Sequence, residues 1–194
     1  MKNQELILDE NHVYRLMPRG TVVPGVSEIL ESVFPFQGRG KAVDRACRFG
    51  TAVHRAIELE IKGTLDPATV DTSTQPYFDQ FWKFLVEYNL LKTQCKTEVM
   101  LYSKKHHFAG RIDCVESRIL DWKTGAQCPT HRLRIAAYRH LWNINNPGNK
   151  IKEAWLVYLD GGDAMPEIVK EKPSDFGVFL SCLEVLTFRK GNRL

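Results

Sequence analysis

Gly110-Arg111-Ile112-Asp113-Cys114-Val115-Glu116-Ser117-Arg118-Ile119-Leu120-Asp121-Trp122-Lys123-Thr124-Gly125 is the stretch on which the reading of the fold turns. It reads as two strands, 107–116 and 118–123, with an acid on the first and an Asp-x-Lys triplet ending the second. Side chains alternate along a strand, so Asp121 and Lys123 share a face and Trp122 takes the other. If the strands pair through a tight turn, Asp113 approaches Asp121. Two carboxylates meeting at a strand end form a hard oxygen site of the kind that takes Mg²⁺ or Mn²⁺. Such a cation polarises a phosphate and acidifies a bound water. Lys123 beside it supplies a compact positive charge for the water or for developing negative charge.

The chain holds a second acid-x-Lys triplet, Glu60-Ile61-Lys62. It lies near the end of a helical pattern, where residues two apart do not share a face, and reads as solvated helix surface. That helix is expected over about 40–62, with Ala42, Ala46, Phe49, Val53, Ile57 and Ile61 as its buried face and Gly63 as its stop. Before it, 12–23 reads as short strands around Pro18-Arg19-Gly20, and 26–33 as a short helix capped by Ser27. After it comes a helix over about 76–90, with Phe78, Phe81, Trp82, Leu85 and Tyr88 as its stripe. Three strands follow at 95–102, 107–116 and 118–123. Ser103 to His106 form the turn between the first two. A helix follows Pro129, over about 130–144. A strand at 152–159 turns at Asp160-Gly161-Gly162-Asp163 toward a partner at 165–170. A last helix, capped by Ser174, covers about 174–189. This order predicts an α/β fold in one domain over 1–194, with a central mixed β-sheet flanked by helices.

The 194 residues suffice for one domain with a real core, and the net charge of +4 permits a polyanionic partner without demanding one. No apolar run approaches the roughly 18 residues of a membrane-spanning helix. Met1-Lys2-Asn3-Gln4-Glu5 has no apolar signal core behind it, which predicts a cytoplasmic location. Cys47, Cys95, Cys114, Cys128 and Cys182 are odd in number, widely spaced and without a CxxC pair, so they read as reduced thiols. Gly38-Arg39-Gly40-Lys41 imitates the end of a P-loop. Pro35 stands where its first glycine belongs, though, and Ala42 replaces the Ser/Thr, so no use of ATP is expected. His106 and His107 are adjacent in a strand reading and face apart, which argues against a shared metal.

Taken together these motifs resemble the RecB-like branch of the PD-(D/E)XK nuclease superfamily, including its phage and mitochondrial genome maintenance members. That branch carries a Gly-Thr-x-x-His helix, a strand acid, Gly-x-x-Asp, Asp-x-Lys-Thr-Gly, and a helix with Gln-x-x-x-Tyr. Here these match Gly50 to His54, Glu98, Gly110 to Asp113, Asp121 to Gly125, and Tyr138. Val23 to Leu30 also looks like the opening segment of those members. The resemblance spans about 20–142 and implies a restriction-endonuclease-like core. It implies His54, Asp113, Asp121 and the carbonyl of Trp122 as metal ligands, Lys123 as the catalytic lysine, and Glu98 as an additional acid. Tyr138 would set the site or contact DNA. One departure is that Arg134 stands where the Gln of that helix belongs; an arginine can hold a phosphate bidentately. Some relatives hold a four-iron cluster on one early and three late cysteines. Only Cys182 is late here, so no iron–sulfur cluster is expected.

Basic residues are candidates for guiding DNA by its phosphates: His131, Arg132, Arg134, Arg139 and His140 on one helix, Lys104 to His107 in a turn, and Arg39, Lys41, Arg45, Arg48 and Arg55 along the long helix. The aromatics Phe36 and Tyr138 could stack on bases, although such residues are more often core. The expected function is Mg²⁺- or Mn²⁺-dependent hydrolysis of DNA phosphodiesters. The resemblance favours an exonuclease acting on ends or single strands, of the phage recombination and repair kind, with a recombination protein as a partner. Two alternatives stand beside it. One is a catalytically silent DNA- or protein-binding subunit on the same fold. The other is a structure-specific endonuclease or junction resolvase.

Overall fold

The computed structural model describes residues 5–35, 38 and 40–192. Met1 to Gln4, Phe36 and Arg39 lie outside the described residues. The centre is a five-stranded sheet in the order β4-β5-β6-β7-β8, with β4 (Lys96–Ser103), β5 (Phe108–Val115), β6 (Ile119–Lys123), β7 (Ala154–Tyr158) and β8 (Glu167–Lys170). The first three strands meander antiparallel, as short polar turns allow. Strand β7 runs parallel to β6, Asp121 opposite Leu156, because the crossing between them is made by the helix α4 (Pro129–Asn145). Strand β8 closes the sheet antiparallel to β7.

Helices cover both faces, which is why β6 and β7 are almost wholly buried. On one face α1 (Val26–Val33), α4 and α5 (Asp175–Asn192) enclose Ile112, Ile119, Leu156 and Phe179. On the other, α2 (Lys41–Ile61) and α3 (Gln75–Glu87) enclose Leu120, Trp122, Trp155 and Val157. Trp122 stands edge-on to Phe81 and Phe84, with ring centroids 5.4 and 5.6 Å away. The alternation expected of β6 is therefore present: Ile119 points to the first face, and Leu120 and Trp122 to the second. Gln80, buried on α3, holds the turn between β7 and β8. Its carbonyl accepts the Asp160 and Gly161 N–H groups at 2.9 Å, and its amide donates to Asp160 Oδ1 and the Ala164 carbonyl.

A second sheet of β1 (Glu5–Leu8), β2 (Tyr14–Met17) and β3 (Thr21–Val23) packs Leu16 and Val23 against Ala109 of β5. The segment after β3 is tied to the main sheet, since Ala109 N–H donates to the Pro24 carbonyl.

Several expectations are corrected. Strand β1 was not anticipated; its four residues are half-exposed and give little pattern. The cap of α1 is Gly25, with Glu28 at the third helical position reaching back to its N–H at 3.4 Å; Ser27 lies within the helix. Ala42 and Ala46 are exposed, and the buried residues of α2 begin at Val53. Trp82 is 37% exposed, and Phe84 takes the buried place on α3. Lys104 to His107 all belong to the turn, and the strand begins at Phe108.

Candidate active site

The site begins with a fault in the sheet. Strands β4 and β5 pair from Ser103↔Phe108 to Lys96↔Val115, but Glu98 and Asp113, which face each other in that register, drop out of the ladder. Glu98 has a left-handed backbone, φ +53°, which a non-glycine residue adopts at a cost. Beyond this point β5 changes faces: Ile112 belongs to the core under α4, and Cys114 to the core under α3. Strict alternation would have put both on one side. The twist frees the Asp113 carboxylate, which accepts the Trp122 N–H at 3.1 Å where the β5–β6 pairing ends.

Two glycines bring helices to this point. At Gly110 an added Cβ would lie 2.9 Å from the Tyr138 ring and 3.0 Å from Leu141, so only glycine lets α4 sit this close to β5. At Gly50 a Cβ would lie 3.1 Å from Thr124 Oγ1, so α2 passes tightly over the end of β6. One turn later His54 places its Nδ1 3.4 Å from Asp113 Oδ2. Asp121, 1% exposed, forms an ion pair with Lys123 through its Oδ2, an oxygen that has no hydrogen-bond partner of ordinary geometry. The sheet thus brings His54, Asp113, Asp121 and Lys123 together, with Glu98 beside them in an ion pair to Arg111 at 2.7 Å. Arg111 was not anticipated. Its signal is its spacing, two residues before Asp113 on the same strand.

The carboxylates differ in character. Burial, and then the charge of Asp121, push the Asp113 carboxyl above its ordinary range, against His54 and Lys123. Burial also works to raise Asp121, but Lys123, Arg134 and His54 outweigh it and hold that group below the usual value. Glu98 is raised by burial, with Arg111 opposing. One acid of low and one of raised pKa at a strand end is an arrangement common to catalytic centres and to structural ion-pair networks.

Helix α4 is not the free basic face expected of it. Arg132 pairs with Asp175, and Arg139 with Glu171. His140 stacks on Phe176 at 4.0 Å, and burial with the charges of His106, Lys105 and Arg139 lowers its pKa to about 4. His131 is hydrogen-bonded to the Tyr158 hydroxyl at 2.8 Å. Burial, with Lys123 and Arg134 nearby, lowers its pKa to about 4 as well. Tyr138 is buried with its ring against Gly110, and Arg134, Asp121 and Asp113 lie near enough to act on its hydroxyl. Arg134 alone of these keeps its charge turned to the site.

His54, Glu98, Asp113, Trp122, Lys123 and Arg134 all border one cleft of about 1710 Å³. Two carboxylates and an imidazole are a donor set that hard or borderline divalent cations accept, and the buried Asp121 Oδ2, met only by Lys123, is an oxygen of the kind such a cation takes. Among the described residues, however, no three His, Cys, Asp or Glu side chains form a ready-made coordination cluster. Lys123 stands against Asp121 instead. No helix among them is long and apolar enough to cross a membrane.

No protein-family model matches the chain, and no curated protein matches it. Among solved structures it is similar to a protein described as a candidate exonuclease from Eubacterium rectale, with a TM-score of 0.58 and 10% identity, covering 86% of this chain and 79% of that one. It also overlays on LHK-Exo in complex with dAMP, with a TM-score of 0.42 and 10% identity, covering 88% and 93%. At such identities the first likeness speaks for the fold alone, and that fold is the expected α/β core with a central mixed sheet between helices.

Proposed function

We propose that the chain is a metal-dependent DNA nuclease, acting as an exonuclease on ends or single strands in recombination or repair. The observation that carries the reading is the meeting of Asp113, Asp121 and Lys123 at the faulted end of β5 and β6, with Asp113 and Lys123 bordering a cleft larger than the roughly 300–1,000 Å³ of small-molecule pockets. The likeness in fold to a protein described as a candidate exonuclease agrees with it.

In this reading Asp113, Asp121 and His54, with the Trp122 carbonyl, would hold Mg²⁺ or Mn²⁺. The cation would supply charge for the phosphate oxygens and acidify a water. Asp121 is the ionised anchor. Asp113 is positioned by the Trp122 N–H. Lys123 must leave its pairing with Asp121 to face the substrate, where its ammonium steadies negative charge on the phosphate. The ordered Glu98–Arg111 pair borders the same cleft and gives the strand a second anchor.

One observation favours the silent-subunit alternative, namely that among the described residues no three His, Cys, Asp or Glu side chains are spaced to hold a cation as they stand. Release of end label from linear single- and double-stranded DNA in Mg²⁺, Mn²⁺ or EDTA separates the readings. Release that requires the metal, with closed circles spared, is the expected result. Cutting of circles moves the protein to the endonuclease class. Binding without cutting in either metal overturns the nuclease reading.

A further inference from the structure

Cys95 and Cys114 are both free thiols, and the sheet makes them neighbours. Lys96 is paired with Val115 and Thr97 with Cys114, so the register sets Cys95 diagonally across from Cys114 on one face. Both pack into the core under α3, and the two sulfurs are near enough to act on each other. Their exposure differs. Cys114 is fully buried in β5, whereas Cys95 is half-exposed just before the edge strand β4.

Diagonal neighbours in a regular ladder stand about 7–8 Å apart, and a disulfide spans roughly 4.4–6.8 Å between Cα atoms. Closing that gap requires one strand to move. Cys95 precedes the first pair of the ladder, and its N–H donates to the Lys92 carbonyl rather than to β5. Its sulfur can therefore approach Cys114 without breaking a rung. Cys114 in turn follows Asp113, which has dropped out of the ladder and is held by the Trp122 N–H. Tension on Cys114 thus reaches a residue with no rung to resist it.

We propose that Cys95 and Cys114 are a redox site that closes to a reversible disulfide under hydroperoxide, and that the bond draws Asp113 off the Trp122 N–H. Hydrogen peroxide meets the half-exposed Cys95 first. The Cys95 sulfur takes one oxygen as the O–O bond breaks, giving a sulfenic acid and one water. The Cys114 sulfur then attacks the Cys95 sulfur. The S–S bond forms, the S–O bond breaks, and the departing hydroxide takes the Cys114 proton and leaves as the second water. Two thiols have lost two electrons and two protons, and one peroxide has become two waters. A small thiol reverses the bond by exchange. None of this depends on whether the cleft cuts DNA.

The test exposes the full chain to hydrogen peroxide and digests it with trypsin without reductant. Mass spectrometry is expected to find the peptide 93–96 joined to 112–118, lighter than their sum by two hydrogens, and dithiothreitol is expected to part them. Cys95→Ser abolishes the link and leaves Cys114 a thiol. Cys114→Ser, or Cys114→Ala where serine unfolds the strand, leaves Cys95 as a sulfenic acid that dimedone traps. In the oxidised wild type the Trp122 amide exchanges with deuterium about tenfold faster by NMR, and dithiothreitol restores it. Cys95 linked to another cysteine, or carried to a sulfinic acid with Cys114 still a thiol, overturns the proposal. A linked protein whose Trp122 amide exchanges as before overturns the coupling to Asp113.

Discussion

Asp113 shows the conflict a site residue carries. Its carboxyl is held above the ordinary range by burial and by the charge of Asp121, so the fold disfavours its ionised form. A raised acid contributes stability that is whole below its unfolded pKa and is lost as pH rises through the folded one. At neutral pH the ionised group is therefore a burden, and Asp113→Asn should raise the urea midpoint in EDTA while abolishing cleavage. A lower midpoint would show that the acid serves structure. His131 and His140 run the other way. Both are lowered, to about 4, so their contribution is present above about 6.5 and is lost as pH falls toward 4. Urea midpoints taken at falling pH should drop across that window, and His140→Phe, which keeps the stack on Phe176, should flatten the decline. The approach of Asp113 to Asp121 was legible because a tight turn folds their two strands together, and the shared face of Asp121 and Lys123 because residues two apart on a strand point the same way. The pairing of Arg132 with Asp175 and Arg139 with Glu171 was not, since each joins elements distant in sequence.

Among the elements, the meander, α4 and β7 were legible to within two residues, because each has a strong period and a clear stop. On α2, Ala42 and Ala46 continue the helical period, yet both are exposed and burial begins only at Val53. Periodicity records which face is apolar and is blind to where the covering layer stops. The fault at Glu98 and Asp113 left no trace in the pattern either, because one residue drops from each strand and the register is unchanged on both sides. Packing at this scale yields two stability predictions. Gly110→Ala places a methyl 2.9 Å from the Tyr138 ring and should cost about 1–3 kcal/mol, read by denaturant melts, with activity falling as α4 shifts. Gln80→Ala leaves the Asp160 and Gly161 N–H groups without their acceptor and should cost about 3 kcal/mol. Loss of less than about 0.5 kcal/mol would mean that water replaces the amide freely.

For the whole molecule, the arrangement of layers explains why the candidate site lies where it does. A mixed sheet buried on both faces leaves the ends of its strands as places where charged groups can gather. Here α2 arrives over one face and α4 over the other, and His54 and Arg134 come from those two helices to the end of β6. The sequence motifs marked the members of this cluster, but their spacing alone did not reveal that Lys123 stands on Asp121 or that Tyr138 lies buried against Gly110. The nuclease reading stands or falls on the rate of DNA cleavage in Mn²⁺ by wild type, Asp121→Asn and Lys123→Ala, each first shown to bind DNA equally in EDTA. Metal-dependent cleavage by the wild type, with a loss of about a hundredfold or more in both variants, is the expected result. Undiminished cleavage by either variant, or none by the wild type, would contradict it.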